Sequence, residues 1–401
     1  MLFSLAFRNL ARNFRRTLAM VLTIGIGTGA LLVFKGFNVG IMNQYRDNTI
    51  HARYGHGQIN MKGYHNSVYE KPWKHWIEDY DSLKKNLSKV PGVKLLFPRV
   101  NFFSLLTNGE MNISGKGQGV DGSAEFSFFN TLNIVEGKNL SDEKEGIILG
   151  KGLARALNAK IGDRITVLGS TIYGSMNAVD TYVTGIFHTG SKEFDDSVFR
   201  IQLDLAHLLL DTKKVESVSL GMKGLGLWKS IEDFVADSDI DLESIPFHVL
   251  DKVYYQHSVD WLDAQFGVIQ IIILVIVILG IFNTVSTSIL ERRQEVGNLR
   301  ANGESRIEVL KLFSNEGFLV GVFGAIFGII VVYAINLSFL KDGILMPPAP
   351  GLTRQFHVKI ELQEWMAVQT FIIGTVTSFV ATFLASLRVI NQKISDLLRS
   401  V

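Results

Sequence analysis

Four stretches of this 401-residue chain are too apolar, for too long, to belong to a water-soluble fold. Phe266 to Leu290 is 25 residues without a charge, Gly317 to Leu340 is 24, and Trp365 to Leu387 is 23. A fourth begins at Leu18, runs to Phe34 and continues past Lys35 to about Ile41. A bilayer core of ~30 Å takes ~20 apolar residues at 1.5 Å each in a helix. Helices also satisfy their own backbone polar groups, which lipid cannot do. The expected fold is therefore an α-helical membrane protein with four transmembrane helices, at 18–41, 265–290, 316–340 and 365–387. The first follows the basic stretch "RNLARNFRRT", as a secretory signal would. Its apolar core is too long for a signal and no A-x-A-like site follows, so it is read as a retained span.

Lys and Arg set the orientation. Segment 1–17, read as an amphipathic basic helix, carries Arg8, Arg12, Arg15 and Arg16. Segment 291–315 carries Arg292, Arg293, Arg300, Arg306 and Lys311, and the tail 388–401 carries Arg388, Lys393 and Arg399. Loop 341–364 has only Lys341, Arg354 and Lys359. Both termini and 291–315 are thus expected on the cytoplasmic side, with 42–264 and the short loop 341–364 outside. With no cysteine there are no disulfides or thiolate metal sites, and the net charge of +2 gives no basis for a nucleic-acid partner. Gly317, Gly321, Gly324 and Gly328 of the third span are spaced to let helices approach closely.

Segment 42–264 is long enough to be a domain. "GQINM", "VKLLFPRVNFFSLLT", "EMNISGKGQGVDG", "AVDTYVTGIF" and "VESVSLGM" read as strands. "GIILGKGLARALNAKIGDRITVLG" reads strand, helix, turn, strand, and "IQLDLAHLLLD" reads as a short helix. "WIEDYDSLKKNLSKVPGV" reads as an amphipathic helix with Ile77, Tyr80, Leu83 and Leu87 on one face. The expectation is an α+β domain of two small lobes, one interrupted by the other.

Catalytic motifs are missing. There is no phosphate-cradling G-x-x-x-x-G-K-[ST] and no G-x-S-x-G elbow. His51 and His56 lie five apart, off the spacing of a helical metal pair, and no metal site is expected. The adjacent Asp195 and Asp196 in "KEFDDS" read as a solvated loop. The chain is read as non-enzymatic.

Between the second and third spans lies "ERRQEVGNLRANGESR", residues 291–306. Glu291 to Ala301 suits three helical turns, Asn302-Gly303 a left-handed cap, and Ser305 to Glu308 the capping box of a new helix. Its face is expected to offer Glu291, Arg292, Glu295 and Arg300 to a partner. The apolar Val296 and Leu299 are too few for a core. A loop obeying the positive-inside rule accounts for the arginines, but not for the acids, the cap and the restart. A docking helix accounts for all of them.

The run from Glu291 to Gly328 resembles the signature of ABC transporter permeases of the FtsX/MacB/LolC superfamily. Glu291, Arg292, Glu295, Gly297, Leu299, Arg300, Ala301, Gly303, Glu316 and Gly317 match it residue by residue, with Val296 for Ile and Glu304 for Ala. "LAFRNLARNFRRT" and "IILGKGLARALNAKIGDRITV" also match. The resemblance implies a MacB-like core in the outer domain, a bacterial inner-membrane location and a second permease subunit. It also implies a cytoplasmic ABC ATPase dimer that binds the ATP and Mg, leaving no cofactor in this chain. The ATPase would dock on Glu291, Arg292, Glu295, Gly297, Leu299, Arg300 and Gly303.

Length and outer-domain sequence look most like the lipoprotein-releasing permeases. That implies a lipoprotein drawn from the membrane and passed to a periplasmic carrier. At ~0.8 kcal/mol per buried CH₂, one acyl chain costs of order 10 kcal/mol to expose to water, so it needs an apolar path. Leu32, Phe34, Phe37 and Met42 of the first span, with Phe266, Ile269 and Ile273 of the second, are the candidate lining, beside membrane lipid. In those relatives a hairpin catches the carrier. The corresponding turn, "GSTIYGSMNA", offers Ile172, Tyr173 and Met176.

Overall fold

The computed structural model describes residues 2–67, 71–129, 132–140, 144–252, 256–347 and 355–399. The chain divides into two compact units. One comprises 1–43, 260–346 and 357–401, the other 44–259 and 347–356.

The first unit holds the expected spans as four long helices, Phe14–Thr49, His257–Leu290, Arg306–Ser338 and Glu364–Ile390. All four are long and apolar enough to cross a membrane. Each is longer than its apolar sequence stretch, although the third stops at Ser338, two residues before that stretch ends. The N-terminal helix is shorter than expected: it spans Leu2–Arg12, and Phe14 already begins the first long helix. Ala6 and Leu10 are buried on its inner face.

The four glycines of the third span form a two-sided seam. A Cβ on Gly321 would lie 2.9 Å from Cα of Thr375, and one on Gly317 would collide with Thr382, both in the fourth span. A Cβ on Gly324 would lie 2.7 Å from Cβ of Ile24, and one on Gly328 would strike the backbone of Gly25, both in the first. One stripe thus packs against two helices. Lys35, the cation within the first span, donates to Oε1 of Gln369 at 2.5 Å and lies 5.6 Å from the ring centre of Trp365. Both contacts ease its removal from water.

Among the described residues, the second unit is built on ten strands: β1 (Gly57–Met61), β2 (Val93–Thr107), β3 (Asn112–Val120), β4 (Asn133–Gly137), β5 (Gly146–Gly150), β6 (Arg164–Ser170), β7 (Met176–His188), β8 (Val198–Gln202), β9 (Ser217–Met222) and β10 (Leu242–Pro246). Their order is β10-β1-β9-β2-β3-β8-β5-β7-β4, and β6 bridges β2 and β7. That bridge closes β2, β3, β8, β5, β7 and β6 into a ring. Val100, Phe102, Leu106, Leu149, Val167 and Phe199 fill its core. A closed ring leaves few free strand edges.

Strands β10, β1 and β9, with the start of β2, form an antiparallel sheet covered by helices Tyr80–Leu87 and Lys229–Ala236, while β4 pairs with β7 at the ring's far edge. Ile59, Leu83, Leu87, Val218, Leu220 and Ile231 fill its separate core. The two lobes are therefore as expected in chain order, the ring interrupting the sheet. They are not independent, because the 15-residue β2 belongs to both.

Two readings need correction here. The helix of "WIEDYDSLKKNLSKVPGV" starts only at Tyr80, where Asp79 caps the amide of Ser82 at 3.0 Å. Ile77 instead bridges to Val215, its amide donating to that carbonyl at 2.7 Å. "KEFDDS" is a short helix, Lys192–Ser197, rather than a solvated loop. Asp195 is buried in it and accepts from the amide of Thr189 at 2.9 Å, the Thr189 hydroxyl at 2.8 Å and Nδ1 of His188 at 2.5 Å. Adjacent residues do point apart, and that is what sends this one inward.

Candidate functional site

The segment between the second and third spans is a helix, Arg293–Ala301, after a turn at Glu291 and Arg292. Gly303, not Asn302, takes the positive φ, at 98°, while Asn302 stays at −80°. Ser305 then starts the third span's helix with the expected capping box: its hydroxyl accepts from the Glu308 amide at 3.2 Å, and the Glu308 carboxylate accepts from the Ser305 amide at 3.0 Å.

The short helix is held on three sides. Arg292 ion-pairs with Glu316 of the third span, and its Nε donates to Oε2 of Glu295 at 2.7 Å. Its guanidinium also lies 4.5 Å from the ring centre of Phe313. Arg300 donates through Nη1 to the carbonyls of Ile390, at 2.7 Å, and Gln392, at 3.2 Å, where the fourth span ends. Carbonyls at a helix end lack partners inside their own helix, so a cation there is favourable. Gly297 leaves room for the tail helix Ile394–Arg399: an added Cβ would lie 3.0 Å from Cβ of Leu397. Val296 joins Phe313, Val389 and Leu397 in one buried cluster, with Leu299 packed against it.

The expected docking face is corrected accordingly. Arg292 is 8% exposed, its guanidinium turned inward to Glu316. Arg300 and Leu299 are half-buried, and Gly297 is buried. Val296 and Leu299 are part of a core after all, one completed by the spans and the tail. Glu291 and Gly303 are exposed, Glu295 is half-buried, and Asn298 adds an exposed position that sequence reasoning passed over. Glu291 is 3.2 Å from Arg16. Sequence reasoning also missed Asn9, whose Nδ2 donates to Oε1 of Glu316 at 2.8 Å. The available signal was Glu316 itself, one carboxylate directly before an uncharged run of 24 residues.

The candidate acyl-chain residues divide. Phe34 and Phe266 meet edge to face with ring centres 6.3 Å apart. Ile273 packs beside Leu31 and Val277, and Ile269 is exposed. Leu32 does not join them. It is fully buried against Val332 and Met366 of the third and fourth spans, because two residues along a helix turn a side chain by about 200°. Phe37 and Met42 are half-buried.

The turn "GSTIYGSMNA" joins β6 to β7, with Ser170 opposite Met176. Tyr173 is 76% and Met176 74% exposed. Ile172 is not a tip residue: it packs on the ring's core and its amide donates to the Leu210 carbonyl at 3.1 Å. His51 and His56 are engaged separately. Nδ1 of His51 is 2.9 Å from the Phe128 carbonyl, and Nδ1 of His56 accepts from the Met222 amide at 3.1 Å. Burial, with His51 nearby, holds His56 below the usual histidine range.

Four spans, a large α/β domain inserted after the first, and a clamped helix between the second and third define the permease component of an ABC transporter. A family model described as MacB-like periplasmic core domain matches residues 17–221, and one described as FtsX-like permease C-terminal matches 267–394. The chain belongs to this FtsX/MacB type of ABC permease, a multi-pass membrane protein with an extracytoplasmic domain and no catalytic role of its own. The lipoprotein-releasing system transmembrane protein LolE of Haemophilus influenzae is 25% identical over 284 residues, 67% of either chain. An ABC transporter permease of Methanocaldococcus jannaschii is 24% identical over 93% of this chain and 92% of its own. The lipoprotein-releasing system transmembrane protein LolC of Xylella fastidiosa is 24% identical over 80% and 77%.

Proposed function

We propose that this permease couples ATP hydrolysis by a separate cytoplasmic ABC ATPase to movement of its outer domain, and that the helix Arg293–Ala301 receives the ATPase. The observation that carries this is the three-sided clamp, which leaves one polar face open and ties the other to the third and fourth spans and the tail. A second permease subunit completes the transporter, and both termini lie in the cytoplasm of a bacterial inner membrane.

The cargo we favour is a lipoprotein leaving that membrane for a periplasmic carrier. Support comes from the likeness to LolE and LolC and from the Phe34–Phe266 contact, where apolar side chains of two spans meet. The turn tip at Tyr173 and Met176 would meet the carrier. A second reading keeps the device and changes the cargo: another envelope molecule is exported, or a periplasmic hydrolase is activated. It is favoured by the M. jannaschii permease, which matches more of the chain than LolE does at nearly the same identity.

The test is purification of the permease from membranes with identification of what accompanies it. An ABC ATPase and acylated protein are expected with the native chain. Asn298→Arg, on the open face, should reduce bound ATPase at least several-fold without altering the amount of permease. Undiminished ATPase in that variant counts against docking here. A bound hydrolase without acylated protein favours the second reading.

A further inference from the structure

Arg292 matches a signature position for ATPase docking, yet it is buried with its charge turned inward. Its partner Glu316 is 3% exposed and is also held by Asn9 of the N-terminal helix. The carboxylate thus ties together the turn before the docking helix, the third span and the N-terminal helix. A cavity of about 20 Å³ adjoins the pair, lined by Ser288, Ser378 and Thr382 among others. That is room for one water at most, so bulk solvent and salt do little to screen the pair. A buried, hydrogen-bonded ion pair is costly to break from one side, since the remaining charge is stranded.

We propose that Arg292, Glu316 and Asn9 are positioning residues forming a rigid joint, which makes the docking helix and the third span move as one body. This rests on the reading that Arg293–Ala301 receives the ATPase. The three residues then act through one another and never touch it. A push on the docking helix passes into the third span without being lost in rotation at the turn.

The chain lacks cysteine, so spin labels can be placed at Asn302→Cys, on the docking helix's end, and Ile335→Cys, far along the third span. Distances are measured by pulsed electron resonance in lipid nanodiscs, on the permease alone and with its ATPase and ATP. A rigid joint predicts one narrow distance in every state. Glu316→Gln, nearly isosteric, should broaden it or add a second distance, and Asn9→Ala should do so more weakly. The exchange Arg292→Glu with Glu316→Arg should narrow it again. A purely stabilising role would lower the yield of folded protein without a second distance. The proposal is overturned if the native pair shifts by about one helical turn, ~5 Å, on adding ATP, or if Glu316→Gln stays as narrow as native. The permease-alone arm tests the joint even if Asn298→Arg shows that the ATPase docks elsewhere.

Discussion

At the scale of residues, the glycine seam shows how little the sequence says about a contact it clearly marks. Spacing placed Gly317, Gly321, Gly324 and Gly328 on one stripe, but not which helices meet it. The structure gives two of them to the fourth span and two to the first. Gly280 of the second span supplies a control, since a Cβ there meets nothing within 4 Å. Gly324→Ala should cost roughly 1–3 kcal/mol through overpacking. Gly280→Ala should be neutral or gain up to about 1 kcal/mol from helix propensity. Thermal unfolding in one detergent compares them, and equal melting temperatures would remove the seam's energetic role.

At the scale of elements, the β6–β7 hairpin was legible as two strands and a turn, and its register follows from alternation along both strands. Which turn residues project was not. Tyr173 and Met176 do, and with Leu208, itself 64% exposed, they add apolar surface to this lobe. The side chain of Asn177 ties the hairpin to the carbonyl of Leu208 at 3.0 Å. Exposed apolar surface of this kind marks contact sites. A photo-crosslinking residue at Tyr173 should capture an envelope protein in cells. If Tyr173 captures none while an equally exposed control site on the same domain does, the tip is an ordinary turn.

At the scale of the whole molecule, charge asymmetry argues for orientation. The arginine-rich segments 1–17, 291–315 and 388–401 should face the cytoplasm. A membrane-impermeant maleimide applied to intact spheroplasts should label Glu110→Cys, in the exposed β2–β3 turn, and spare Asn302→Cys until the membrane is opened. Labelling of Asn302→Cys with Glu110→Cys spared until the membrane is opened would show the opposite topology.

What the sequence determined alone follows from rules that act along the chain. Lipid demands uncharged runs of fixed length, caps are local hydrogen bonds, and strands alternate, so spans, the capping box and most strands could be read directly. The partners of Glu316, the inward turn of Arg292, the burial of Asp195 and the sharing of β2 between two lobes were decided only by the fold. The environment of Glu316 and Arg292 depends on residues far apart in sequence, Asn9 and Glu316 most of all, being brought into one low-dielectric place. There a charge must find its counterpart, and no local pattern records which counterpart that will be.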